Sequence, residues 1–570
     1  MDKRDVARVL EQIAAILEIK GENTFKVRAY ENAARALDSL SEDLGALIAE
    51  SRLTEVRGIG KSIAGNIAEL WTSGRMKYYE ELCESVPPGW FDLMRIPGLG
   101  AKRIRTLCDL LSIASVEDLK RAAEQGRIRE LKGFGAQSEK KLLEGIAFLE
   151  KGGSRELGAL VRPLAEALLA ALRERKDVQA AEVGGSLRRW LETVKDVDLL
   201  VATKKPAAVA KAFLEMVPGA SITAQGDTKT SVRLPSGLAI DLRLVTAEQF
   251  PFALHYFTGN VAHNVRIRQR AIDRGYSLNE YELSGAEHPP IKSEEDLFRV
   301  LGLPYIEPEL REDRGEIEAG EKGALPRLVT LSDMKGILHC HTTYSDGKST
   351  VEEMAEGAVA AGASYLGLTD HSVSARYAGG LSEEDLARQH ADIDRWNSKS
   401  TTLRILKGAE VDILPDGTLD YPDRVLEGLD FVIASIHTNF GMGEEEMTAR
   451  VVKAIRNKHV GILAHPTGRL LLQRDGYRLN LETVFRAAAE EGVVIEINAN
   501  PRRLELDWRE VRAAKAHGLK LAVNPDAHHV SGYLDLRYGI GAARKGWLTP
   551  DDVINTLPVD RALALLRARR

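Results

Sequence analysis

The chain has 570 residues, enough for three or four domains, and its three scattered cysteines, Cys83, Cys108 and Cys340, exclude a disulfide framework or a thiolate zinc site. There is no run of 18 apolar residues, and the opening MDKRDVARVL lacks an apolar signal core, so a cytoplasmic protein without membrane contact is expected. A net charge of −6 argues against a simple cationic DNA binder, yet residues 101–300 carry 31 Lys and Arg against 27 Asp and Glu while 301–450 carry 14 against 28, which assigns nucleic-acid contact to the first stretch.

The first recognisable elements are LTEVRGIGKSIAGNIAELW and FDLMRIPGLGAKRIRTLCDLL, each an apolar residue, a G-x-G turn and an amphipathic helix pattern. Gly60-Lys61-Ser62 invites comparison with a phosphate-binding Walker loop, but that loop needs glycine at position 55, where Glu55 stands. Each motif reads instead as a helix-hairpin-helix, whose turn lets backbone N–H groups approach a DNA phosphate at a helix N-terminus without reading sequence. The expected DNA-binding residues are Gly58, Gly60 and Lys61 in the first and Gly98, Gly100 and Lys102 in the second, with Arg103 and Arg105 adding charge. Leu131-Lys132-Gly133-Phe134-Gly135 is a weaker third copy.

Next comes GGSLRRWLETVKDVDLLV, residues 184–201, in which Asp196 and Asp198 interrupt a buried-strand pattern. In a strand, i and i+2 share a face, so the two carboxylates sit with Cα atoms roughly 6.6 to 6.8 Å apart and repel unless a cation lies between them. An isolated D-x-D also fits a solvated strand face, but Gly184-Gly185-Ser186 offers backbone N–H groups and a hydroxyl, and Arg188 and Arg189 add forked donors. Phosphate binders beside hard oxygen ligands point to Mg²⁺- or Mn²⁺-dependent phosphoryl or nucleotidyl transfer. Downstream, SVRLPSGLAIDLRLV predicts a hairpin turning at Pro235-Ser236-Gly237, and Asp241 inside its second strand is the third candidate carboxylate, since a lone acid there is costly unless ligated.

Gly184–Arg189, Asp196-Val197-Asp198 and Asp241-Leu242-Arg243 resemble the palm of a family X, polymerase beta type, DNA polymerase. Tyr256-Phe257-Thr258-Gly259, Asn264, Arg268 and GYSLNEY at 275–281 extend the resemblance into that family's thumb. It implies that Asp196, Asp198 and Asp241 are catalytic and hold the palm metals. It also implies that Ser186 and Arg189 grip the β- and γ-phosphates, that Tyr256 and Phe257 face the sugar and Asn264 the base, that Gly185 and Gly259 belong to the same nucleotide site, and that Arg268 meets the template strand. Val261 departs from the pattern, occupying the place of an acid that contacts the nucleotide. NTFKVRAYENAARAL resembles the family's N-terminal domain, with Lys26, Arg28 and Arg35 toward a 5′-phosphate, but Asn66 stands where the Schiff-base lysine would be, and asparagine forms no imine.

Residues 307–328, EPELREDRGEIEAGEKGALPRL, are charged and poor in apolar residues and read as a linker, taken as 307–333. Beyond it lie ten of the thirteen histidines, and short apolar runs (YLGLTD, FVIASIH, GILAHP, VVIEINAN, LKLAVNPDAH) alternate with helical stretches as repeated βα units. Polar residues end those runs, where α/β barrels place their active sites. The pattern H-x-H…D, T-D-H, G-x-E, I-H, A-H-P, D-x-H resembles the PHP (polymerase and histidinol phosphatase) family. The resemblance implies nine metal ligands, His339, His341, Asp346, His371, Glu410, His437, His465, Asp526 and His528, holding up to three Zn²⁺, Mn²⁺ or Fe ions, with Glu410 as the bridge. Alternation turns Cys340 away, as core filling.

The expected architecture is multidomain. A helical DNA-binding unit (1–80) and a fingers-type helical unit (81–150) precede an α/β nucleotidyltransferase palm (151–248), a thumb (249–306) and a C-terminal α/β PHP barrel (334–570). The implied activity is gap-filling DNA synthesis by a monomer on gapped or nicked DNA with dNTPs, coupled to a metal-dependent phosphoesterase at DNA 3′ ends acting as exonuclease, 3′-phosphatase or abasic-site endonuclease. A non-catalytic DNA-end scaffold and a nucleotidyltransferase for another substrate are the alternatives.

Overall fold

The computed structural model describes residues 3–567 apart from 39, 41, 43, 74, 88, 97, 153, 154 and 235, so Pro235 of the expected hairpin turn lies outside the described residues. Helices Lys3–Lys20, Thr24–Asp38 and Lys61–Ser73 bury one apolar stripe each, including Leu10, Ile13, Leu17, Leu37 and Ile67, around a first core. A second core (Ile104, Leu107, Leu119, Ile128, Ile146) lies under Ala101–Leu111, Val116–Glu124 and Ala136–Gly152.

The palm is a five-stranded mixed sheet in the order Val178–Val183, Asp196–Thr203, Ala239–Val245, Lys229–Arg233, Ser221–Gln225. The expected hairpin is present, Lys229–Arg233 running antiparallel to Ala239–Val245 with Ser231 opposite Asp241. Asp196–Thr203 runs parallel to Ala239–Val245, and that register sets Asp198 beside Asp241. Helices Gly158–Arg173 and Pro206–Met216 pack on the sheet around Phe213, Val201 and Leu242.

Phe250–Thr258, Val261–Asp273 and Glu294–Val300 build the thumb. Residues 307–333 are not the free linker that their composition predicts. Pro308–Leu310 is a 3₁₀ turn, Glu316–Glu321 a helix, and Leu310, Ile317 and Leu328 complete the thumb core with Ile267 and Phe298. Several of the segment's charges are buried and paired: Arg311, fully buried, donates to Glu294 at 2.5 Å, and His263 pairs with Glu316 at 2.7 Å.

The last unit is a seven-stranded sheet in chain order from Gly336–Ile337 to Leu521–Asn524, every neighbouring pair parallel. A parallel bridge from Cys340 to Ala527 joins the first edge to the last, which curls the sheet into a nearly closed barrel. Cys340 is fully buried, as its alternation predicts. No helix among the described residues is long and apolar enough to cross a membrane.

Candidate active sites in the palm and the barrel

In the palm, the turn before the aspartate strand is shaped to approach it. Gly184 N–H donates to the Asp198 carbonyl at 2.7 Å, and Gly185 sits at φ +63°, where a Cβ would come 2.5 Å from Asp198 Oδ2. Only glycine fits there, and Ser186 follows in the short helix Gly185–Arg188. Burial first, then the Asp196 charge, pushes the Asp198 carboxyl from 3.8 up to about 6 against the pull of Arg243. Lys229 Nζ lies 2.7 Å from Asp241, and Arg243 3.8 Å from Asp241 and 4.0 Å from Asp198. Three carboxylates that repel one another and draw in neighbouring cations fit a divalent-ion site of hard oxygen ligands.

The residues expected at the nucleotide divide into two sets. Tyr256 and Phe257 are half-buried and stand edge to face at 5.0 Å, with Arg243 over the Phe257 ring at 3.9 Å. Gly259 leaves room for Asn264, whose Oδ1 would be 2.6 Å from a Cβ there. Arg268 is exposed. Asn264 and Arg189 are not free side chains. Asn264 is buried and donates to the Tyr256 carbonyl at 2.6 Å, leaving Oδ1 without a partner, while Arg189 bonds Glu312 and the Thr258 carbonyl. Val261 is 78% exposed at its departing position.

The helix-hairpin-helix turns share a geometry. Gly58 (φ +100°), Gly98 (φ +77°) and Gly133 (φ +91°) all take the left-handed conformation before a helix, so the copy that looked weakest in sequence is built like the others. Gly60, Lys61, Gly100 and Lys102 are exposed. Asn66 donates to the Tyr30 hydroxyl at 3.0 Å, and Tyr30 stacks on Tyr78, over whose ring Lys26 lies.

In the barrel, all nine expected ligands converge at the C-terminal ends of the strands. They form four groups, His341/Asp346/His371/His528, His339/Glu410/His465, His339/His341/Asp526 and His371/Glu410/His437, each with ligand atoms within 4.8 Å of one another. Glu410 is central: Oε2 lies 3.1 Å from His371 Nδ1 and 3.3 Å from His339 Nε2, and Oε1 lies 2.9 Å from His465 Nε2 and 3.4 Å from His437 Nε2. His339 (φ +66°), His465 (φ +23°) and Asp526 (φ +52°) adopt backbone conformations unfavourable for their types, strain that the surrounding structure sustains.

The buried ring nitrogens His339 Nε2, His341 Nε2 and His371 Nδ1 have no hydrogen-bond partner among the described residues and face this centre, so the donor set fits metal ions. Burial, then the nearby His528 and His371, lower His341 from 6.5 to about 3, so the ring is neutral and one nitrogen keeps a lone pair to donate. Burial opposes charge on His437, but Glu410 and Asp412 outweigh it and raise that ring to about 10.

Two supporting acids escaped the sequence reading. Glu496 accepts from His339 Nδ1 at 2.6 Å and is itself held by Asn524 (2.9 Å) and Asn498 (3.2 Å), while Asp412 accepts from His437 Nδ1 at 2.6 Å. Such partners fix ring orientation and tautomer. The signal was present: Glu496 is an acid inside the apolar run VVIEINAN, and Asp412 lies two residues past Glu410 on the same strand.

Comparison with known families and proteins agrees with this geometry. Descriptions of a helix-hairpin-helix domain match residues 1–76, a SAM-like helix-hairpin-helix tandem 91–147, the DNA polymerase beta thumb 253–312 and the PHP domain 338–500. The chain is 40% identical over the full length of both proteins to "DNA polymerase/3'-5' exonuclease PolX" of Bacillus subtilis. It is 32% identical, over 39% of this chain and 91% of the relative, to a "probable phosphatase" of Thermoanaerobacter sp., and 25% identical, over 54% of this chain and 56% of the relative, to DNA polymerase lambda of Rattus norvegicus. The chain belongs to the family X DNA polymerases with helix-hairpin-helix units, a polymerase thumb and a C-terminal PHP domain.

Proposed function

We propose that the chain fills short DNA gaps from dNTPs in its palm and removes nucleotides from DNA 3′ ends in its barrel, a DNA polymerase joined to a 3′–5′ exonuclease. The observation that supports the polymerase half is the register of Asp198 beside Asp241 on two neighbouring inner strands, next to the glycine turn. Mg²⁺ or Mn²⁺ held by Asp196, Asp198 and Asp241 would supply charge neutralisation and an acidified primer 3′-OH. The chain's own part is positioning: Ser186 and the N–H groups of Gly185 and its neighbours receive the triphosphate, Tyr256 and Phe257 wall the sugar, and the exposed helix-hairpin-helix turns grip the duplex phosphates.

In the barrel, Zn²⁺, Mn²⁺ or Fe ions among the nine ligands would supply a hydroxide nucleophile for a phosphodiester. Glu496 and Asp412 hold His339 and His437 in the ligating tautomer, and Asp346, exposed where the other members of its group are wholly or partly buried, opens the cage to substrate. Relatives named phosphatases support 3′-phosphate removal as a second substrate of this centre. The test is a labelled primer at a one-nucleotide gap. Extension is expected with dNTPs and Mg²⁺, and shortening without dNTPs in Mn²⁺, as a monomer by sedimentation. A chain that binds the gap yet does neither is a scaffold.

A further inference from the structure

The palm segment that presents the nucleotide-site arginine is clasped by the barrel domain. Arg189 is 8% exposed; its Nε donates to Glu312 Oε1 at 2.9 Å and its Nη1 to the Thr258 carbonyl at 2.6 Å, while Nη2 has no protein partner among the described residues. The second Glu312 oxygen accepts from Asn260 at 3.1 Å. The same Oε1 that holds Arg189 also accepts, at 2.7 Å, from Nζ of Lys545, the last residue of the barrel helix Leu536–Lys545. Lys545 is 1% exposed and lies over the Trp508 ring at 4.3 Å.

The residues after Arg189 are held by the same helices. Trp190 lies between Arg162, stacked at 3.6 Å, and Tyr538, and a Cβ on Gly541 would come 2.5 Å from its ring. Glu192 accepts from Trp508 Nε1 at 3.1 Å and from Arg509 at 2.7 Å. Other nearby carboxylates are taken, Glu307 and Glu309 together by Arg544 and Glu294 by both Arg188 and Arg311, so that among these groups five cations face four acids. Arg189 and Lys545 therefore share one carboxylate, and one positive charge is left over in a site where water is largely excluded. A buried cation without a counter-ion is costly. An entering anion relieves that cost, and the unpaired Nη2 is the donor through which it would do so.

We propose that Lys545 of the barrel, acting through Glu312, is a positioning residue for Arg189, so that the barrel domain completes the triphosphate site of the palm. This rests on the reading of the palm as a nucleotide-transfer site. Without the Lys545 charge, Glu312 belongs to Arg189 alone, the pair becomes neutral, and the pull on a triphosphate falls.

The experiment is steady-state single-gap filling by the full chain, with 3′ resection as the check that the barrel is folded. Lys545→Met is expected to raise the KM for dNTP about tenfold with kcat within about twofold and resection intact, and Lys545→Arg to restore KM to within about threefold of wild type. If Lys545→Met loses resection, Lys545→Gln, which keeps a donor for Glu312 without the charge, is read in its place, with the same rise in KM expected. A dNTP KM equal to wild type in a variant that still resects overturns the inference, as does a fall in kcat at unchanged KM. A wild-type chain that adds no nucleotide overturns the polymerase reading and this inference with it, whereas a wild-type chain that adds nucleotide with normal KM in Lys545→Met overturns the inference alone.

Discussion

Asp198→Asn should make the metal-free protein more stable while abolishing nucleotide addition. The Asp198 side chain is mostly buried between Asp196 and Asp241, and its carboxyl rises from 3.8 to about 6. The folded state thus disfavours the charged form. That cost is absent below the unfolded value near 3.8, grows as pH rises, and is complete above the folded value of about 6. At about 1.4 kcal/mol per pH decade of displacement it amounts to up to about 3 kcal/mol at pH 8. Asparagine keeps the shape and cannot ionise, so the gain should appear in thermal unfolding of the full chain in EDTA at pH 8 and shrink as pH is lowered through 6 toward 4. Mg²⁺ should stabilise wild type and not the variant, and its affinity for the wild-type palm should fall below pH 6 as protons compete. Equal or lower stability of Asp198→Asn at pH 8, or the same gain at pH 4, would refute the view that this carboxylate is held against its preference for a cation.

Glu496→Gln should lower metal content and resection about 10- to 100-fold through loss of the His339 partner, with gap filling unchanged; metal analysis after dialysis and the two activities check it. Borohydride should trap no adduct with an abasic 5′ end, because Asn66 lacks an amine and spends its amide on Tyr30, and an efficient adduct would show that another lysine serves. Lys102→Ala should weaken gapped-DNA binding uniformly across sequences and reduce the slope of log affinity against log salt by about one, measured by fluorescence anisotropy.

What the sequence revealed and what it hid follow from one distinction. Asp196, Asp198 and Asp241 stood out as acids inside apolar strand patterns beside phosphate donors, and the nine candidate barrel ligands as a series of acids and imidazoles following successive apolar runs, a combination that a solvated face or a core histidine does not explain; the strand register then sets Asp198 beside Asp241. Residues 307–333 misled for the opposite reason. Their charges read as solvated because the partners lie far away in sequence, Glu312 with Arg189 and Lys545, Arg311 with Glu294, Glu309 with Arg544. Periodicity reports a residue's neighbours along the chain and is silent about an ion pair closed across hundreds of positions. The same blindness hid the tethering of Arg189 and Asn264, whose types alone suggested free donors.

The central claim is that one chain carries two separate metal-dependent chemistries. Its most direct test is a single 5′-labelled primer at a one-nucleotide gap, followed for lengthening and shortening in Asp198→Asn and in the double variant His339→Ala with His341→Ala. Both imidazoles lie in the cage centred on Glu410, far along the chain from the palm carboxylates, and neither belongs to the Lys545–Glu312 contact. Asp198→Asn should stop lengthening and leave shortening, and the double variant should do the reverse. Shortening that survives in the double variant and vanishes in Asp198→Asn would mean that the palm performs the hydrolysis and that the histidine cage is structural.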